Sequence, residues 1–177
     1  VFAFGGALGA LAFGFELAEV ILFGIAANVM AGIGAAIGGI ADDRIGGKRT
    51  IMISLIGLTV AGFGVFAFAE LGPITYWIGG LALTLFVGPA QAASRAFVAR
   101  FTPPGREGEV MGLYMTTGRA VSFLSPLLWT TSISIALSLG VNNAQATVWG
   151  ILGLMVVLVA GILLLARVNA KPQVITN

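Results

Sequence analysis

Residues 50–69 and again residues 146–166 run without a single charged side chain. At 1.5 Å per residue a run of that length crosses the bilayer hydrocarbon, which is about 30 Å thick. Hydrocarbon offers a backbone amide no water to bond, so such a run has to satisfy its own N–H and C=O groups as a helix. Four more apolar runs, about 1–15, 17–41, 74–101 and 110–137, take up most of the remainder, joined by short turns. Only 9% of the chain is charged and 58% is hydrophobic, against about 25% charged in ordinary soluble domains. With 177 residues and a mean hydropathy of +1.04, six spans leave no room for a soluble domain. The fold class expected is an all-α membrane protein of six transmembrane helices over residues 1–177.

The positions of the cations orient these spans. The turns at 70–73 and 139–143 contain no Lys or Arg. Residues 39–49, the region from Arg95 to Arg106, and the tail with Arg167 and Lys171 carry nearly all of them. Cations are retained on the cytoplasmic side, so the basic turns and the C-terminus are expected there. Short loops throughout favour a bacterial inner (plasma) membrane. The net charge of +2 is spread between apolar spans, which is the pattern of loop anchors; no nucleic-acid partner is expected. With no Cys and no His, disulfides, thiolate nucleophiles, imidazole catalysis and His-based metal sites are excluded. No acid lies deep in a span, so an intramembrane carboxylate enzyme is not expected, nor any metal or cofactor. A proton-coupling carboxylate would have to lie outside these residues. The first run has neither a basic leader nor a cleavage pattern; it reads as the outer part of a helix whose upstream part is missing, with Gly5 and Gly9 at small-xxx-small spacing.

Residues 39–49 read Gly-Ile-Ala-Asp-Asp-Arg-Ile-Gly-Gly-Lys-Arg: a helix end, an acid, a turn glycine, then cations. Gly39, Asp43, Arg44, Gly46, Lys48 and Arg49 resemble the loop motif of the major facilitator superfamily, G-x-x-x-D-[RK]-x-G-x-[RK]-[RK], which follows the second helix of a six-helix half. Asp42 departs from it and is expected to face the watery end of the turn. The cluster Gln91, Ser94 and Arg95, the turn from Pro104 to Glu107, the run from Gly112 to Tyr114 and a cation after Gly118 resemble the vacuole-effluxer-like branch, related to fungal vacuolar amino-acid effluxers. The resemblance implies the C-terminal half of a twelve-helix carrier. Its partners would be the lipid bilayer, a missing N-terminal six-helix half and a small polar solute, amino acids by resemblance, moved by alternating access. A non-transporting membrane scaffold or sensor of the same fold is the alternative.

Several polar residues stand where hydrocarbon makes them costly. Arg119 lies ten residues past Glu109, roughly 15 Å along a helix. It should face a cavity or a partner: a substrate carboxylate, a gating ion pair, or backbone carbonyls at the cytoplasmic mouth. Asn28 is the one strongly polar residue inside the second span, suited to an interhelical hydrogen bond or to a substrate path. Gln91, Ser94 and Arg95 share a helical face at i, i+3 and i+4. The resemblance further implies a gating pair between Asp43 and an arginine of the fourth span, Arg95 or, as second choice, Arg100. Pro126 is expected to kink the fifth span, with Ser122 and Ser125 bonding the freed carbonyls. Tyr76 and Trp77 suit an interfacial aromatic belt.

Overall fold

A computed structural model describes residues 2–168, with side chains from Gly5 onward except that of Ala7; Lys171 lies outside the described residues. The elements are α1 (Phe2–Ala12), α2 (Leu17–Ile45), α3 (Gly47–Ala67), a short 3-10 turn (Ala69–Leu71), α4 (Pro73–Arg100), α5 (Glu107–Val121), α6 (Leu124–Ser138) and α7 (Asn143–Arg167). Among the described residues the architecture is wholly helical. Five stretches are long and apolar enough to cross a membrane: α2, α3, α4, α5 with α6, and α7. At about 1.5 Å per residue, α1 reaches only part of the way.

Local chemistry sets the helix ends. Glu19 reaches back to accept from the Glu16 amide at 3.0 Å, closing the first turn of α2. Pro73 opens α4, where its missing N–H costs nothing. The Asn142 side chain accepts from the Gln145 amide at 2.8 Å and starts α7.

Two boundaries differ from the sequence reading. The expected turn at 39–49 is almost entirely helical: α2 continues to Ile45 and α3 begins at Gly47. Only Gly46 interrupts, at φ +85 and ψ 152, where a side chain would be strained. Its amide still donates to the Asp42 carbonyl at 3.0 Å, so the last turn of α2 is completed. The expected fifth span is divided at Ser122 and Phe123. Pro126 has no amide to offer the Ser122 carbonyl, and its ring crowds that carbonyl, so the helix breaks one turn before the proline. Ser122 Oγ donates to the Arg119 carbonyl at 2.7 Å; Ser125 makes no such bond among the described residues.

Small residues decide which helices meet. The most extensive contact is between α2 and α4. There Gly34 lies against the Leu85 carbonyl, Gly38 against Pro89, and Gly88 against the Ala31 carbonyl, each with no room for a Cβ. Backbones that touch without intervening side chains gain close van der Waals contact in a solvent that supplies no hydrophobic drive between helices. The same device joins α6 to α7, where Gly150 receives the Trp129 ring and Gly153 the Leu128 carbonyl. Phe23, Val65, Tyr76, Trp129 and Ile151 fill the centre. The opposite side of α2 exposes Ile25, Val29, Ile33, Ile37 and Ile40. Gly24, Gly32 and Gly39 meet nothing within 4 Å.

Gly88→Val should therefore push α2 and α4 apart and destabilise the bundle by on the order of 1–3 kcal/mol. Gly32→Ala should be neutral or mildly stabilising through helix propensity. Thermal unfolding of the two variants in detergent, followed by size-exclusion chromatography, measures the difference.

Candidate functional site

At the end of the bundle where α2 meets α3, Asp42 is 5% exposed although it carries a formal charge. Its burial is compensated by Arg100 at the last turn of α4. Arg100 Nη1 donates to Asp42 Oδ1 at 3.2 Å and Nη2 to Oδ2 at 2.7 Å, a two-point fit that a planar guanidinium makes and an ammonium cannot. Gly47 has no side chain to displace Asp42 Oδ1 and Phe97 from this corner. Asp43 stays 80% exposed and reaches the same guanidinium only at 3.7 Å.

This corrects two expectations from the sequence. Asp42 does not face water, and the two-point bridge joins Asp42 to Arg100 rather than Asp43 to Arg95; the second-choice pair, Asp43 with Arg100, is present as the longer 3.7 Å contact. Because α2 stays helical through Ile45, one residue turns a side chain by about 100°. Gly34, Gly38 and Asp42, at successive i+4 steps, therefore share the face on α4, while Gly39 and Asp43 lie on the next stripe. That four-residue spacing was the signal in the sequence. The motif register chosen there, beginning at Gly39, is one position away from it.

The other cations of this end divide into used and unused. Lys48 Nζ donates to the carbonyls of Ala166 and Val168 at 3.0 and 2.7 Å, so a motif cation caps the C-terminus of α7, where unpaired carbonyls and the helix dipole favour positive charge. Arg106 makes a two-point bridge to Glu109 at 2.8 and 2.7 Å on an exposed turn. The side chains of Arg44 and Arg49 are exposed and bond nothing among the described residues. Arg119, in the last turn of α5, is exposed as well. Only its carbonyl is engaged, so it forms neither an ion pair nor the carbonyl contacts considered for it. It lines neither of the two cavities described next.

A central cavity of about 400 Å³ lies between α1, α2, α3, α4, α6 and α7. Its wall is mostly aliphatic and aromatic, with Asn28, Tyr76, Thr84, Ser125 and Trp129 as its polar or amphipathic members. Asn28 Nδ2 donates to the Gly24 carbonyl one turn back, at 2.8 Å. It makes no interhelical bond among the described residues, and it borders the cavity. Tyr76 is buried, 2% exposed, and not an interfacial belt residue. Its hydroxyl donates to the Gly5 carbonyl at 2.8 Å, and its ring packs with Phe23, Phe15 and Phe13 at centroid distances of 4.3, 4.9 and 5.4 Å. Gly9 makes room for that hydroxyl. Nothing in a Tyr-Trp pair at a span start separates a belt from such a plug.

A second cavity, about 610 Å³, opens between α4 and α5. Gln91 and Arg95 line it from α4, and Tyr114 and Thr117 from α5. Ser94, expected to join this stripe, instead donates to the Ala90 carbonyl at 2.6 Å. Thr117 escaped the sequence reading, and Tyr114 entered it only within the Gly112 to Tyr114 run, because they become neighbours of Gln91 only once α5 folds beside α4.

Glycine-packed helices with short turns, with five stretches long and apolar enough to cross a membrane, define a multi-pass integral membrane protein. Residues 1–126 match the Major Facilitator Superfamily, and the chain belongs to that family. It is similar to an uncharacterised MFS-type transporter, YxiO, of Bacillus subtilis (strain 168), with 26% identity over 126 residues. The match covers 71% of this chain and 27% of that relative's length. No solved structure matches it significantly.

The bridge makes unequal demands on its two neighbouring acids. Asp42→Asn should lower stability by on the order of 1–3 kcal/mol through the loss of charge-assisted hydrogen bonds, whereas Asp43→Asn should stay within about 0.5 kcal/mol. Parallel thermal melts of the two variants check the order.

Proposed function

We propose that the chain is the C-terminal six-helix half of a secondary transporter that moves a small polar solute by alternating access, in partnership with an N-terminal half. The observation that carries this reading is the Asp42–Arg100 bridge, which ties α2 to α4 beside the one-residue break at Gly46. An ion pair at a helix end, next to a glycine that changes backbone direction, can hold one arrangement of the helices and release another. Asp43, 3.7 Å from the same guanidinium, is a second acid within reach when the helices shift. The glycine crossing of α2 and α4 supports the same idea: smooth backbone surfaces let helices rock without unlocking side chains. In this reading the basic turns face the cytoplasm and the bridge braces the cytoplasmic gate.

Amino acids are the proposed solutes, and the vacuole-effluxer-like branch the proposed kinship. The support is the resemblance carried by Gln91, Ser94, Arg95, the turn at Pro104 to Glu107 and Arg119. Gln91, Arg95 and Asn28 lie on cavity walls and are the candidate solute contacts; Ser122 and Pro126 mark a hinge between α5 and α6.

Counterflow of labelled amino acids in proteoliposomes holding the intact protein tests the proposal. Saturable flux with at least one amino acid is expected, and Asp42→Asn should reduce turnover about tenfold or more, the equivalent of about 1.4 kcal/mol in the gate equilibrium. Normal turnover in that variant removes the gating role. No saturable flux with any amino acid removes the substrate class and leaves the scaffold alternative.

A further inference from the structure

We propose that the cleft between α4 and α5 is a binding site for an oxyanion, a carboxylate or phosphate group, held by Arg95 with Gln91, Tyr114 and Thr117. The inference deepens the transport reading and rests on it only in taking the ligand to be a transported solute.

Unused hydrogen-bonding capacity sets this cleft apart. Within the spans most Ser and Thr hydroxyls bond a carbonyl of their own helix, as Thr50, Ser54, Thr59, Ser94, Thr131 and Thr147 do. The four polar side chains of this cleft do not. Among the described residues, Gln91, Arg95, Tyr114 and Thr117 make no side-chain hydrogen bond or ion pair, yet all four border the same space. A guanidinium, a carboxamide, a phenol and a hydroxyl together offer donors in several directions. No acid lines the cleft to occupy them.

Charge and surroundings make the site selective. Arg100 and Arg106 are matched by Asp42 and Glu109, whereas Arg95, like Arg44, Arg49 and Arg119, pairs with no acid among the described residues; of these four it alone lines either cavity. It stands five residues inward of Arg100, about 7.5 Å along α4. The remaining lining, including Val98, Val110, Leu113 and Val121, is apolar, and the cleft is open, with Gln91, Arg95 and Thr117 exposed along it. A volume of about 610 Å³ accepts a ligand of amino-acid size, within the about 300–1,000 Å³ typical of small-molecule sites. The carboxylate role considered for Arg119 thus falls to Arg95, since Arg119 lines neither of these two cavities.

An oxyanion can come from a free solute or from a lipid headgroup, and the test separates them. The intact protein is placed in nanodiscs of phosphatidylcholine, and its melting temperature is followed against L-glutamate, succinate and inorganic phosphate at ionic strength held with choline chloride. A saturable rise with at least one of the three is expected. Arg95→Gln should raise the half-saturating concentration about tenfold or more, as loss of charge-assisted hydrogen bonds does; Arg106→Gln, the same charge change outside the cleft, should leave it unchanged. If phosphatidylglycerol discs stabilise the wild type but not Arg95→Gln, and abolish the solute effect, the oxyanion is a lipid headgroup and the site stands. If Arg95→Gln does not fold, Tyr114→Phe combined with Thr117→Val keeps the charge and should weaken binding about threefold or more. The proposal is overturned if neither solute nor lipid shifts the wild type, or if the cleft variants respond as the wild type does. Saturable stabilisation without counterflow would keep the site and remove the transport reading.

Discussion

The bare crossing of α2 and α4 is the contact on which the rest of the bundle depends. Gly34, Gly38 and Gly88 remove the side chains that would hold the two backbones apart, and the resulting approach sets Asp42 and Arg100 within bonding distance. A bulkier residue at any of these positions would separate the helices and strand a buried carboxylate. In lipid, where apolar surface gains nothing by leaving the solvent, such close backbone contact and the polar bonds it permits supply the cohesion that a hydrophobic core supplies in water.

The two ends of the bundle are closed by different physics. At the basic end the contacts are ionic and depend on charge: Asp42 with Arg100, and Lys48 on the carbonyls ending α7. Toward the other end Tyr76, Phe13, Phe15 and Phe23 pack ring against ring, anchored by one hydrogen bond to α1. Ion pairs exchange partners when helices shift, whereas packed rings resist shear. The mobile elements are therefore expected beside Gly46 and at the break between α5 and α6.

The polar groups within the spans fall into two populations. Most hydroxyls bond carbonyls of their own helix and are structurally spent. The group facing the cleft between α4 and α5 is not. Spacing on a single helix found Gln91 and Arg95, but the same spacing also admitted Ser94, whose hydroxyl turns back on α4.

Membrane residence and the helical fold were legible in the sequence, because uncharged runs with short turns have no other way to satisfy their backbones in hydrocarbon. Membership of the superfamily was legible too, from residues 39–49. What the sequence left open were the quantities that depend on helix rotation and on the neighbour opposite. Whether Asp42 or Asp43 turns inward depends on α2 remaining helical past Ala41. Whether Tyr76 faces out of the bundle or into it depends on α1 passing beside it, and what Arg95 borders depends on where α5 lies. Hydrophobicity is a property of a segment and can be read along the chain. A buried pair or a shared cavity is a relation between segments, and only the packed helices determine it.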